Sequence, residues 1–307
     1  MNRLKDNKFQ KLINIPKFII NIKQNKKRLQ STLHELQKIL FDDFYTIINA
    51  ITPKDIQNPE EYIDYKTYMN ILNPTQSIML PTFGSLACAL SHMKVWKHIV
   101  QNNIKEAFII EDDIMITNKV KFKFDLQMMY QFIHNTDSKL FFTFGSKHFK
   151  KLYSRYYRYD EPFTIQQQND SKEPITQISG PIIGTHFYYV NKDACLYFLN
   201  HIQKIKYQID IEIGLLSHRL NMYNLNTSAI QQNKTFKSNV QLPLLSLEEV
   251  HDLFKSRLKS KYITRMIFSY IPYLFRQLDK DKRHDNIPPT VTFNQFNYYY
   301  NYYSYYQ

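Results

Sequence analysis

Glycine is scarce in this chain: 5 of 307 residues, at Gly84, Gly145, Gly180, Gly184 and Gly214. Their spacing makes neither a Walker phosphate loop nor a Gly-x-Gly-x-x-Gly turn, so any phosphate-bearing ligand must be held by other means. Collagen-like repeats and Gly-rich linkers are excluded on the same ground. Two cysteines, Cys88 and Cys195, cannot build a disulfide framework or a zinc cluster. Residues 1–10 are polar and lack the apolar core of a signal peptide. Residues 266–275, a strongly apolar stretch between Arg265 and Arg276, fall well short of the roughly 20 residues a bilayer requires. These absences predict a soluble protein of a reducing compartment, a cytoplasm or, for a viral source, a host cytoplasm or virion. What is present, 43% hydrophobic and 22% charged residues, fits a globular chain and excludes a wholly disordered one.

The net charge of +13 invites a nucleic-acid reading, and its distribution argues against one. Residues 1–30 carry nine Lys/Arg and one acid, and residues 251–285 carry nine and four. These two ends hold the whole excess, and the rest of the chain is balanced at 22 basic and 22 acidic side chains. A groove for nucleic acid needs cations along the phosphate path, so no nucleic-acid partner is expected. The basic ends read as solvated helix faces, with contact to a membrane surface or an acidic partner as the alternative. Asn, Lys, Ile and Tyr are used as heavily as A+T-rich codons would produce, a bias also met in giant viruses, and this inflates basic and aromatic signals alike.

Strand and helix patterns alternate along the centre. Apolar runs at residues 18–22, 45–51, 107–110, 140–144 and 186–190 read as strands. Helical spacing of apolar positions marks residues 31–40, 85–100, 124–133 and 193–202. Residues 53–82, with Pro53, Pro59, Pro74 and Pro81, read as an irregular connection. The alternation predicts an α/β layered fold with a mainly parallel sheet over residues 17–240. A basic extension (1–16) precedes it, and a basic helical extension (241–285) and a disordered Tyr/Asn-rich tail (286–307) follow.

Chemistry concentrates at Glu111-Asp112-Asp113, directly after the strand that ends at Ile110. Three consecutive carboxylates repel one another, and a hydrated hard cation is their natural neutraliser. In open α/β sheets ligands bind beyond the carboxyl ends of the strands, where a cation would clamp a diphosphate. An ordinary acidic loop is the bland alternative. Cys88, His92 and Trp96 recur at one-turn intervals and share a helix face, where packing is the ordinary role of the thiol and a satisfied core position that of the histidine. Sequons at Asn169, Asn226 and Asn233 carry little weight without a leader.

These pieces, in this order, resemble glycosyltransferase family 25, which includes bacterial lipooligosaccharide galactosyltransferases and collagen hydroxylysine galactosyltransferases. The carriers are Glu111-Asp112-Asp113 after its strand, the helix from Gly84 through Cys88 to Ser91-His92 with Trp96, Ile19-Ile20-Asn21-Ile22 with Arg28, the strand ending in Gly145, Gly184-Thr185-His186 through Val190, and Asp210. They span residues 17–235. The resemblance implies a GT-A-like, Rossmann-related domain and a nucleotide-sugar donor such as UDP-galactose or UDP-glucose. It also implies a divalent cation such as Mn²⁺ and a hydroxyl acceptor on a glycan, a lipid-linked glycan or hydroxylysine. It assigns Glu111 and Asp113 to the metal. Asn21, Arg28, Asp112, Gly84, Ser91 and His92 go to the donor, and Gly184, Thr185 and His186 to an acceptor or donor loop. The family is inverting, and a single displacement needs one base to take the acceptor's proton. Asp210 is that candidate, with Glu212 the runner-up on the same face if the segment is extended. Ser85 and Ala87 replace a Glu and a Gly usual in the family's helix, and Gln208-Ile209 replaces its Pro-Val. Two other readings remain: a catalytically silent relative, and an interaction protein that docks through its basic helix and tail.

Overall fold

The computed structural model describes residues 11–39, 41, 43–72, 80–133, 139–148 and 173–236. The expected basic helix at 241–285, the Tyr/Asn-rich tail and the Asn169 sequon lie outside the described residues. Along the chain run β1 (Lys17–Asn21), α1 (Lys26–Gln37), β2 (Tyr45–Asn49), α2 (Tyr65–Leu72), α3 (Phe83–Gln101) and β3 (Glu106–Glu111). There follow β4 (Ile114–Ile116), α4 (Lys119–Ile133), β5 (Leu140–Phe144), β6 (Lys147–His148), β7 (Ile175–Gln177) and β8 (Ile182–Ile183). Then come β9 (Phe187–Asn191), α5 (Lys192–His201), α6 (Ile209–Leu215), β10 (Asn221–Leu225) and β11 (Ile230–Gln232).

The central sheet has the order β2-β1-β3-β9-β5-β10-β7. β1 lies parallel to β2 and β3, and β10 parallel to β5. β9 runs against both β3 and β5, and β7 against β10. The sheet is therefore mixed, with five strands in one direction and two reversed, rather than mainly parallel in its pairings. The reversal of β9 matters for the site. A reversed strand begins where its parallel neighbours end, so the Gly184-Thr185-His186 segment that feeds β9 arrives at the carboxyl end of β3. There the Glu111 amide donates to the His186 carbonyl at 2.9 Å.

Side-chain alternation divides the sheet into two cores. Phe18, Ile20, Ala107, Ile109, Phe141, Tyr188 and Val190 join Leu86, Val95 and Trp96 of α3 and Phe198 of α5 on one face. Ile19, Phe108, Ile110, Phe142, Phe144, Phe187 and Tyr189 join Leu36 of α1 and Leu126 and Met129 of α4 on the other. With apolar contacts on both faces, these strands show continuous burial, as β1 and β5 do at every position. α3 starts where Thr82 accepts a hydrogen bond from the Ser85 amide at 3.0 Å. Its Trp96 packs on Phe198 with ring centroids 4.8 Å apart. The stretch read as irregular, residues 53–82, contains helix α2 and two 3₁₀ turns, Pro53–Asp55 and Pro59–Glu61. Pro53 and Pro59 sit at the first position of these turns, where a missing N–H costs nothing, so they mark helix starts rather than breaks.

Gly214 holds α6 in place by what it lacks. A Cβ there would come within 2.5 Å of Pro181 Cα and 2.6 Å of the Gly180 carbonyl oxygen, both rigid backbone atoms. Gly214→Ala should force α6 away from the 180–182 segment and cost about 1–3 kcal/mol, the usual penalty for overpacking. Thermal or urea unfolding of the variant measures this, and an unchanged midpoint would show that the contact is not limiting.

Candidate functional site

The carboxyl ends of β1 and β3 are neighbours, with Ile20 opposite Glu111. Asn21 and the acidic run therefore leave the sheet at one edge, and the three carboxylates then part company. Asp112 accepts from Asn21 Nδ2 at 2.6 Å and from Arg28 Nε at 2.8 Å. Arg28 Nη2 reaches Asp112 Oδ1 at 2.6 Å and Asp113 Oδ2 at 2.9 Å, so one guanidinium from the first turn of α1 bridges both acids. Gln232, at the end of β11, donates Nε2 to Asp113 Oδ2 at 2.8 Å. The Asn233 amide meets the Asp113 carbonyl at 2.5 Å, and the Phe236 ring centre lies 5.6 Å from Arg28 Cζ. These contacts leave Asp113 Oδ1 buried with no hydrogen-bond partner. Burial and then the charge of Glu111 push the Asp113 carboxyl up to about 6 against the pull of Arg28. Burial also raises Asp112, again against Arg28.

Glu111 turns the other way, to the face covered by α3. Its Oε1 accepts from Thr185 Oγ1 at 2.8 Å and lies 3.4 Å from His92 Nε2, which makes no hydrogen bond. His92 is fully buried, with Nδ1 2.9 Å from Tyr188 Oη, and that hydroxyl also accepts from Trp96 Nε1 at 3.0 Å. Cys88 sits one turn before His92, and the ligand atoms of Cys88, His92 and Glu111 all lie within 4.8 Å of one another. Burial, then the charges of Glu111 and Asp210, hold the Cys88 thiol well above its ordinary range. Burial works to raise Glu111, but contacts with His92 and Thr185 leave its carboxyl below the usual value.

Asp210 enters from α6. Its Oδ2 accepts the Gly184 amide at 2.9 Å and its Oδ1 the Ile211 amide at 2.9 Å. Gly184 has φ +101°, a left-handed backbone that turns its amide toward Asp210 while its carbonyl accepts from Ser146 Oγ at 2.8 Å. Burial, then the charge of Glu111, raise the Asp210 carboxyl against those two N–H groups. Glu212 does not share its face. The segment is helical, and residues two apart on a helix differ by about 200°. Glu212 Oε1 instead accepts the Lys206 and Tyr207 amides at 2.7 and 2.9 Å and closes the loop ahead of α6.

The remaining candidates divide in the same way. His186 Nε2 is buried without a hydrogen-bond partner, just before β9 rather than on it. Gly84 lies in the first turn of α3. Ser91 donates to the Ala87 carbonyl at 2.7 Å and accepts the Ile51 amide at 2.8 Å, so its hydroxyl pins the segment after β2 to α3. Ser85 Oγ stands 3.0 Å from Thr82 Oγ1, within the N-terminal cap of that helix.

The model of glycosyltransferase family 25, described as a lipopolysaccharide biosynthesis protein family, matches residues 14–213. The chain belongs to this family. Every element just described up to α6 falls inside the match. A procollagen galactosyltransferase 1-A of Xenopus laevis is 30% identical over 116 residues, 36% of this chain and 18% of that protein. The human procollagen galactosyltransferase 2 is 27% identical over 107 residues, 34% of this chain and 17% of its own length. The matched stretch thus spans less than a fifth of these relatives.

Two contributors escape a reading of the sequence. Tyr188 looks like one more apolar residue of a strand, yet its hydroxyl fixes both His92 and Trp96. Gln232 reaches Asp113 across 119 residues from a three-residue strand, too short to show any periodicity.

Proposed function

We propose that this member of family 25 is an inverting glycosyltransferase that moves a hexose from a nucleotide sugar, UDP-galactose or UDP-glucose, to a hydroxyl acceptor. The observation that carries this reading is Asp113 Oδ1, a buried carboxylate oxygen without a protein partner at the carboxyl end of β3, in a chain of this family. An oxygen donor with excess negative charge around it fits a hard divalent cation such as Mn²⁺. Asp113 would hold that cation, with Glu111 the neighbouring carboxylate. When bound, the cation supplies charge neutralisation to the diphosphate leaving group.

The chain's own groups do the rest. Arg28 fixes the rotamers of Asp112 and Asp113, and Asn21 shares the Asp112 carboxylate. Asp112 faces ribose or sugar hydroxyls of the donor. Asp210, oriented by the Gly184 and Ile211 amides, takes the proton from the acceptor hydroxyl as that oxygen bonds to the anomeric carbon. His92, Trp96 and Tyr188 are all fully buried, and His92 packs against Glu111. The galactosyltransferase names of the relatives favour UDP-galactose, with a hydroxylysine-bearing or glycan acceptor. Ser85 is the feature that favours a silent relative, because a hydroxyl occupied by a helix cap stands where the family usually carries a carboxylate.

A UDP-release assay across a panel of nucleotide sugars, with glycan and hydroxylysine peptide acceptors and with or without Mn²⁺, tests the proposal. Acceptor-dependent, Mn²⁺-stimulated release from one donor is the expected result. Donor binding without release from any member of the panel would favour the silent relative and overturn the catalytic reading.

A further inference from the structure

Cys88, His92 and Glu111 form a second cluster of ligand-bearing side chains, on the α3 side of the Glu111 carboxylate. Cys88 and His92 are four residues apart on α3, so both side chains project from one helix face toward the end of β3. Their ligand atoms and that of Glu111 cluster within 4.8 Å. The supporting groups are already in position. Tyr188 Oη holds His92 Nδ1 at 2.9 Å, and Trp96 Nε1 holds that hydroxyl at 3.0 Å. Thr185 Oγ1 holds Glu111 Oε1 at 2.8 Å. A histidine that ligates a metal through one nitrogen commonly has the other anchored in this way. In the tautomer protonated at Nδ1, Nε2 offers its lone pair to an ion, and Nε2 is buried with no hydrogen-bond partner and with Glu111 Oε1 3.4 Å away.

We infer that Cys88, His92 and Glu111 form a binding site for a thiophilic divalent cation of the Zn²⁺ class, distinct from the hard-cation position at Asp113. The donor set is one sulfur, one imidazole nitrogen and one carboxylate oxygen, which suits Zn²⁺ or Co²⁺ far better than Mn²⁺. Bonds of roughly 2.0–2.3 Å to a tetrahedral ion bring ligand atoms to roughly 3.5 Å apart, so side-chain adjustments of about 1 Å close the site. On binding, the Cys88 S–H bond breaks, its proton leaves to solvent, and a sulfur–metal bond forms. The thiolate and the Glu111 carboxylate together balance the two positive charges of the ion. Three protein ligands leave a fourth position for water or an incoming group. This is a single-thiolate site rather than a cysteine cluster, and it needs no sugar donor.

The test uses the full chain, stripped of metal and titrated with Co²⁺. Thiolate ligation gives a sulfur-to-cobalt charge-transfer band in the near ultraviolet. The chain has two cysteines, so Cys195→Ser leaves Cys88 as the sole thiol. The band should persist in Cys195→Ser and in Asp113→Asn, bleach when Zn²⁺ is added, and vanish in Cys88→Ser. His92→Asn should weaken Co²⁺ binding by more than the roughly 10- to 100-fold typical of losing an outer-shell partner. A band that survives in folded Cys88→Ser, or that disappears in folded Asp113→Asn, would overturn the inference. Should Cys88→Ser fail to fold, Cys195→Ser decides alone, since absence of the band there removes Cys88 as a ligand.

Discussion

Asp113→Asn is expected to abolish cation-dependent turnover while the protein stays folded. The carboxamide keeps the size of the side chain and can still accept at one oxygen from Arg28 and Gln232, which hold that side chain at 2.9 and 2.8 Å. What it loses is the negative charge at Oδ1, the atom with no partner in the protein. A hard cation binds charged oxygen far better than an amide, so Mn²⁺ affinity, read by electron paramagnetic resonance of the free ion, should fall along with UDP release. Removing a buried carboxyl held up at about 6 relieves an unfavourable charge but also weakens the buried pair with Arg28, so the midpoint of thermal unfolding should change little. Full Mn²⁺ affinity and full turnover in the folded variant would remove the assignment of Asp113.

Asp210→Asn is the second large effect, a loss of transfer on the order of 10²–10⁴-fold, the usual contribution of a positioned base. The amide can keep contact with the Gly184 N–H, which now approaches at 2.9 Å, so the α6 packing should be preserved. Donor affinity should survive, because Asn21, Arg28, Asp112 and Asp113 reach the site from β1, α1 and β3 rather than α6. Glu212→Gln serves as the contrast: its carboxylate is committed to the Lys206 and Tyr207 amides, so turnover should change little. Measurement of kcat and KM for both variants separates the cases. A larger loss for Glu212→Gln would move the base to that position, and a pure loss of donor affinity for Asp210→Asn would assign it to the donor site.

The features visible in the sequence were those with short periods and local chemistry. β1, β3 and β5 announce themselves as apolar runs because both of their faces are buried, and the carboxylates follow β3 directly. α3 shows its buried face through Leu86, Ala89, Leu90, Val95, Trp96 and Ile99. Arg28 was anticipated within the same motif as Asn21, and the two meet on Asp112. What stayed hidden depended on tertiary pairing. β9 has an ordinary strand pattern, but nothing in it says that it runs backward between β3 and β5. Asp210 and Glu212 are two apart, and only knowing that α6 is helical, not extended, separates them. β11 is three residues long, and Gln232 gains its role solely because β11 pairs with β4, whose start follows Asp113.

Arg28 has a consequence for how the protein comes into being. Its guanidinium stands between Asp112 and Asp113 as a resident counter-charge for the acidic end of β3. Small metal-nucleated domains collapse only when their ion arrives, because repelling ligands have nothing else to gather around. Here the gathering is done by a covalently attached cation on the neighbouring helix, and apolar layers on both sides of the sheet supply the cohesion. Under the proposed cation dependence, folding and loading would be two separate events. Ion supply would then set activity through occupancy of a finished site instead of through the survival of the fold.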